Sequence, residues 1–290
     1  MFLITGASSA LFGRPVLDQL RRLLPEAEIV AGTRDPGSAP ELAAAGVKTR
    51  RVDFDDPASL TSAFAGATAV LINGTNYGTP AERRGAQHAA AIKAATEAGA
   101  QRIVYTSWPD PDLFPQQMMS DFAGSEALLR RLSPDATILR TTYGLAQTVG
   151  RDVTTAAASG LLAAPAGQAR TAPAHIDDLA EAAARVLATS EHRGKLYTLT
   201  ATDSIDWTDL ARLASAISGT PIEYQPVSDD QFTAAATAQG IPADLVGMLL
   251  GVYHAFRAGW TSTPTDHLAT ILRRAPRPAL EAVTAAVATW

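Results

Sequence analysis

Met1-Phe2-Leu3-Ile4-Thr5-Gly6-Ala7-Ser8-Ser9-Ala10-Leu11-Phe12-Gly13 opens the chain and decides how the rest is read. An apolar strand (Phe2 to Ile4) runs into a loop of small residues (Thr5 to Ala10), and a helix opens near Gly13. This is the layout of a dinucleotide-binding βα turn. The backbone N–H groups of the loop and the first helical turn can face a pyrophosphate, where the partial positive charge of a helix N-terminus favours an anion. Small residues let the phosphates approach the backbone. The fingerprint departs from its commonest form in two ways: Ser9 stands where a second glycine is usual, and the interval from Gly6 to Gly13 is one residue longer.

Apolar runs with strand character recur at regular intervals after this turn: Glu28–Gly32, Lys48–Val52, Ala69–Ile72, Arg102–Thr106 and Thr137–Arg140. Segments of helical composition separate them, at Pro15–Leu24, Pro57–Phe64, Pro80–Ala98 and Asp121–Leu132. Strands alternating with helices predict βαβ units and a doubly wound parallel sheet, a Rossmann-like α/β fold with its ligand crevice at the carboxyl ends of the strands. Pro57 after Asp56 marks a helix start, and Ser120-Asp121 offers N-cap oxygens to another. Beyond residue 145 the rhythm loosens into a helix (Ala146–Ala158), a Gly/Pro/Ala stretch (Gly160–Gly167), a helix (Leu179–Thr189) and a strand (Lys195–Thr200). A mostly helical tail with one strand at Ile222–Pro226 follows. The expected organisation is a dinucleotide-binding core over 1–145, then remaining core elements and a small, mostly helical C-terminal lobe over 146–290. No polar linker divides them.

Composition narrows the function. With 290 residues, 47% hydrophobic and 18% charged, the chain is an ordinary folded protein. Its net charge of −5 argues against nucleic acid as a partner, which would need a basic face. The absence of cysteine removes disulfides, thiol nucleophiles and thiolate metal sites. The five histidines show no metal-ligand spacing, so no metal is expected. A strand starting at residue 2 leaves no room for a signal peptide, and no apolar run is of membrane-spanning length. A cytoplasmic monomer or homodimer is the expectation.

Gly32-Thr33-Arg34 ends the second strand, where an acidic residue would accept from the adenosine ribose 2′-hydroxyl and an arginine suits a 2′-phosphate. Arg34, with Arg14 at the loop mouth, points to NADP(H) over NAD(H); a solvated surface arginine is the alternative. After the third strand, Asp53 followed by Phe54 can bracket an adenine ring, while Asp56 caps the helix at Pro57. Asn73 and Gly74 at the end of the fourth strand fit either a nicotinamide ribose contact or a plain turn. Ser107 ends the fifth strand, where a serine can polarise a carbonyl, and it is the one catalytic candidate. A tyrosine with a lysine four residues on, the usual proton-delivering pair, is missing: no tyrosine here has one. His175, before Asp177 and Asp178, is placed at a strand end near the crevice, with a structural role favoured.

Taken together, Thr5-Gly6-Ala7-Ser8 with Gly13, Gly32–Pro36, Val52–Pro57, Arg102–Ser107, Ser125–Leu128, Thr137–Arg140, His175–Ala180 and Arg274–Pro278 resemble the NmrA-like atypical short-chain dehydrogenases. Among these they look most like NAD(P)H:quinone-type oxidoreductases and aromatic-dye reductases. The resemblance spans nearly the whole chain. It implies a dinucleotide lying over Gly6, Ser8, Ser9, Phe12, Arg34, Asp53, Phe54, Asn73 and Gly74. It implies hydride transfer to a quinone-like or other aromatic acceptor held between the nicotinamide and the lobe, with no Tyr–Lys pair. Tyr77, Trp108, Phe122 and Tyr143 are the candidate substrate walls. Phe122 departs from relatives that carry His or Lys there, which removes a proton donor and makes the pocket more apolar. The family also contains non-catalytic NAD(P) redox sensors and tailoring proteins of aromatic polyketide pathways, some of which couple quinone-like units. Both remain alternatives at this point.

Overall fold

The computed structural model describes residues 1–75, 79–114 and 119–288. Seven strands form one parallel sheet: β1 (Phe2–Thr5), β2 (Ile29–Thr33), β3 (Lys48–Arg51), β4 (Ala69–Ile72), β5 (Arg102–Ser107), β6 (Thr137–Thr141) and β9 (Leu196–Leu199). Their order across the sheet is β3-β2-β1-β4-β5-β6-β9. The order reverses between β1 and β4, and in open α/β sheets that switch point is where a ligand crevice opens. The central strands β2 and β4 are buried throughout, as a sheet covered on both faces requires.

Alternation along the strands divides the core into two layers. Ile4, Leu71, Val104 and Leu139 face one side, packed with Val16, Leu17 and Leu20 of α1 (Gly13–Leu23) and with Leu179, Ala183 and Leu187 of α7 (Ile176–Ala188). Leu3, Val70, Ile103 and Ile138 face the other. They meet Leu60 and Phe64 of α3 (Pro57–Phe64), Ile92 of α4 (Ala81–Glu97) and Leu129 of α5 (Ser120–Leu132). The short α2 (Pro40–Ala44) leads into β3, an edge strand whose exposed Lys48 and Arg51 discourage pairing with another sheet.

α3 spans the expected residues. Asp56 caps it by accepting from the N–H groups of Ala58 and Ser59 at 3.1 and 3.3 Å. At α5 the expectation fails. Met119 occupies the cap position with no side-chain bond, and the Asp121 carboxylate turns inward to the Arg84 guanidinium instead. A buried cation claims an anion more strongly than a helix end does.

α6 (Leu145–Ser159) leads into the lobe, where β7 (Leu162–Ala164) pairs in parallel with β11 (Tyr224–Pro226). The Gly/Pro/Ala stretch thus carries a strand its composition does not announce. A second pair joins β8 (Arg170–Thr171) to β10 (Ile205–Asp206). Around them lie α8 (Trp207–Ser218), α9 (Asp229–Ala238), α10 (Ala243–Arg257) and α12 (Ala279–Val287), while α11 (His267–Leu272) packs back on α7 and β9. No described helix is long and apolar enough to cross a membrane.

Candidate active site

The loop between β1 and α1 is built around two glycines. Gly6 has φ +63°, a left-handed conformation that favours glycine. A Cβ on Gly13 would lie 2.0 Å from the Gly6 carbonyl oxygen and 2.7 Å from its carbon, so only glycine lets α1 begin this close to the strand. The extra residue is absorbed by two turns: Ser9 N–H donates to Gly6 O, and Arg14 N–H donates to Ser9 O. Among the described residues, the N–H groups of Ser8, Ala10, Leu11, Phe12 and Gly13 donate to no acceptor. Ser8, Ser9 and Ala10 are exposed. Five unpaired donors on a small-residue loop at a helix start form a cradle for an anion. These residues fit the pyrophosphate of a dinucleotide.

The neighbouring strand ends sort the other candidates. Arg34 is exposed at the end of β2 and makes no hydrogen bond or ion pair among the described residues. Ser8 Oγ and Thr33 Oγ1 lie 3.1 Å apart and tie the loop to the same strand end. Arg14 is engaged with Asp18, one helical turn on, at 3.0 Å. Asp53 pairs with Arg51 at 3.0 Å and accepts from the Asp55 N–H. Phe54 beside it is half-buried. The hydrogen bond from Arg83 holds the Asp55 carboxyl below its usual range, helped by Gln87.

Asn73 and Gly74 lie at the switch point. The Thr5 hydroxyl accepts from Asn73 N–H at 2.8 Å, and Thr106 Oγ1 donates to Asn73 Oδ1 at 3.0 Å while accepting from Gly74 N–H. This crossing of β1, β4 and β5 fixes the backbone that floors the crevice. Next along, Thr75 N–H donates to His88 Nε2 at 3.2 Å. Nε2 is therefore the acceptor and Nδ1 carries the proton, facing the Tyr105 hydroxyl at 2.9 Å. Burial pushes the His88 pKa down from 6.5 to about 4, so the ring is neutral at physiological pH. Burial also raises the Tyr105 phenol well above its usual range.

The His88 shift carries a stability consequence. An unfolded chain protonates this ring below about 6.5, whereas the folded chain resists until about 4. The unfolded state therefore binds the extra proton across that window, and stability present above 6.5 is lost as pH falls through it. The loss should be on the order of 3 kcal/mol. Urea unfolding at the two ends of the window, with His88→Gln alongside, checks this. The variant should show a smaller drop, and an equal drop in both proteins would refute the assignment.

The aromatic candidates fall at different depths. Phe12 is fully buried beneath the loop and stacks on Tyr143 at 4.8 Å and 15°, so it reaches the cradle only through its N–H. Tyr143 and Phe122 converge on Gly74: a Cβ there would meet Phe122 Cε1 at 3.6 Å, His88 Nε2 at 3.7 Å and Tyr143 Oη at 3.8 Å. Phe122, 2% exposed, lies behind that backbone. Trp108 at the end of β5 stacks face to face on Trp260 of the lobe at 5.3 Å and 8°. Tyr77 falls outside the described residues. Ser107 donates to Glu126 Oε1 at 2.7 Å, and Arg140 grips the same carboxylate through two bonds of 2.9 and 3.0 Å. Its proton is thus directed into a structural network. His175 caps α7, its Nδ1 accepting from Asp177 N–H.

A model of the NAD(P)H-binding family matches residues 9–190. The chain belongs to that family. It is 34% identical over 250 residues to quinone oxidoreductase 2 of Escherichia coli (strain K12), covering 86% of this chain and 85% of that protein. The structure of E. coli QOR2 complexed with NADPH superposes with a TM-score of 0.89 at 30% identity, over 98% of this chain and 99% of that one. Citrobacter sp. triphenylmethane reductase complexed with NADP(H) gives 0.89 at 28% identity, over 99% of this chain and all of that one. The Rossmann-like fold and the NmrA-like resemblance both hold, and the chain is an oxidoreductase of this family.

Two features escaped the sequence reading: the His88 network, and the Glu126 carboxylate shared by Ser107, Arg130 and Arg140. A signal for the first was present. Arg84 and His88 lie one turn apart on α4, in line with Ala91 and Ala95, so both polar residues sit on the buried stripe.

Proposed function

We propose that this protein transfers hydride from NADPH to a flat, quinone-like aromatic acceptor bound between the β4 and β5 strand ends and the lobe. The observation that carries the reading is the unpaired N–H cradle of residues 8 and 10–13, closed from below by a glycine contact that admits no side chain. The bound dinucleotide would supply the hydride. The chain's own part is positional. The amides of residues 8 and 10–13 would hold the pyrophosphate, Arg34 the 2′-phosphate, and Asp53 with Phe54 the adenine. Asn73 and Gly74 would fix the nicotinamide ribose against the switch point, where Thr5, Thr106 and His88 make the backbone rigid.

An electrophilic quinone needs orientation and exclusion of water more than a strong general acid. Trp108, which stacks on Trp260, and Tyr143, whose hydroxyl reaches Gly74, would supply the aromatic walls of the acceptor site. The chemistry then requires no Tyr–Lys pair, in keeping with a chain that has none. The relatives named for quinone and dye reduction support an aromatic acceptor.

Arg34→Ala tests the cofactor assignment. The loss of a charged hydrogen bond of about 1.5–3 kcal/mol should raise the KM for NADPH by about 10- to 100-fold and leave that for NADH nearly unchanged. Steady-state quinone reduction with each nucleotide gives the comparison. An equal rise for both would remove Arg34 from the 2′-phosphate, and no turnover of any quinone with either nucleotide would overturn the acceptor class.

A further inference from the structure

Away from the crevice, the lobe encloses a cavity of about 380 Å³ between α6, β7, α9 and α10, within the size range of small-molecule sites. Its walls are mostly apolar and include Phe232, Leu249, Val252, Tyr253 and Phe256. One group breaks that pattern. Asp152, on the second turn of α6, lines the cavity with its carboxylate held by two neutral donors: Trp207 Nε1 reaches Oδ2 at 2.7 Å and Tyr253 Oη reaches Oδ1 at 2.7 Å. Among the described residues no Arg, Lys or His nitrogen stands within 4.0 Å of it. The nearest cation in sequence, Arg151, is exposed; its charge partly offsets the effect of burial on Asp152 from a distance, without direct contact.

A carboxylate has about four acceptor positions, and two are used here. Burial raises the Asp152 pKa, and burial with the adjacent carboxylate raises that of Tyr253, which keeps the phenol a donor. A neutral apolar occupant would strip water from the anion and give nothing back. An anionic occupant would be repelled. An ammonium would supply both the missing charge and the missing donors. Aromatic rings gather at this end of the cavity: Phe232 lies 5.4 Å from Tyr253, and Trp207 lies 5.0 Å from Phe256. Such faces attract organic cations.

We infer that this cavity is a second binding site, for an organic amine whose ammonium faces Asp152 and whose apolar body lies among Phe232, Leu249, Val252 and Phe256. The site is separate from the dinucleotide crevice. It is lined by α6 from Thr148 to Ser159 and by residues of β7, α9 and α10, and none of the residues placed at the crevice lines it. The assignment rests on the cavity and its acid alone, independent of the acceptor reduced in the crevice.

The test is calorimetric titration of the full chain with 2-(2-naphthyl)ethylamine, with 2-naphthylacetate as an anion of similar size. The amine should bind and the acetate should not. Asp152→Asn should weaken the amine by at least about tenfold, with near-ultraviolet circular dichroism confirming the fold. Ala235→Trp, an exposed wall position, should fill the cavity and abolish binding while leaving NADPH affinity unchanged. It decides the matter if the Asn variant fails to fold. No amine binding to the wild type, equal binding of the acetate, or retained binding in either variant would overturn the proposal.

Discussion

Gly13→Ala should abolish dinucleotide binding and lower the unfolding free energy by about 1–3 kcal/mol, the usual range for a forced core overlap. The new Cβ would stand 2.0 Å from the Gly6 carbonyl oxygen, against a practical limit of 3.0 Å. Helix α1 or the loop must therefore retreat by about 1 Å. Neither can do so freely. Val16, Leu17 and Leu20 are fully buried against the sheet and α7, and Gly6 is tied through Ser9 and through its left-handed φ. The movement opens the amide cradle, whose donors must converge on one pyrophosphate, so NADPH affinity should fall by more than the stability change alone conveys. Gly124→Ala in α5 is the control. Its Cβ would meet nothing within 4 Å, and replacing a helical glycine there should stabilise by about 0.5–1 kcal/mol. Urea unfolding and NADPH titration of both variants separate the cases. Wild-type affinity in Gly13→Ala would show that the cradle is not the phosphate site.

Asp121→Ala should cost about 3–5 kcal/mol, because it removes the carboxylate that pairs with a buried guanidinium. Arg84 is 2% exposed and donates to both carboxylate oxygens of Asp121, at 2.6 and 2.7 Å. Among the described residues it also donates to the Thr79 carbonyl at 3.1 Å and to Met119 Sδ at 3.8 Å, and its guanidinium lies 5.2 Å from the Phe122 ring centroid. The pair joins α4 to α5 directly beneath the His88 network, and Ser125, which bonds the Asp121 carbonyl, stands 3.5 Å from His88 Nδ1. The double change Arg84→Met with Asp121→Leu should recover much of the loss, since a buried pair replaced by apolar groups of like volume is often neutral. Denaturation of the single and double variants completes the cycle. A single variant costing under about 1 kcal/mol would mean that water reaches Arg84.

The sheet was legible because its signals were local and redundant. Ala69–Ile72 and Pro57–Phe64 lie where periodicity, proline and the Asp56 cap agree. The lobe was less so: the strand expected at Ile222–Pro226 forms as β11, but its partner β7 forms only because distant segments meet, and the alanines and single proline between 160 and 167 carry no strand signature. The glycine loop advertised itself through residue size, since Gly6 and Gly13 answer to backbone geometry. Charged residues were harder to read. Asp121 looked like a cap and is an ion-pair partner, and the bond from Ser107 to Glu126 was not foreseen. In both cases the deciding group, Arg84 or Glu126, is remote in sequence or faces the other way along a helix. No local pattern reveals that choice.

The position of β9 in the sheet bears on how the chain is made. β6 finds its outer neighbour only in Leu196–Leu199, and the apolar stripe of α1 finds its cover only in α7. A ribosome that has released residues 1–145 therefore holds an unfinished sheet, with the β6 edge and one flank of α1 still wet. Native closure waits until Leu199 clears the exit tunnel. During that interval the open edge is a template for a neighbouring nascent chain, so chaperone demand should peak while this stretch is being translated.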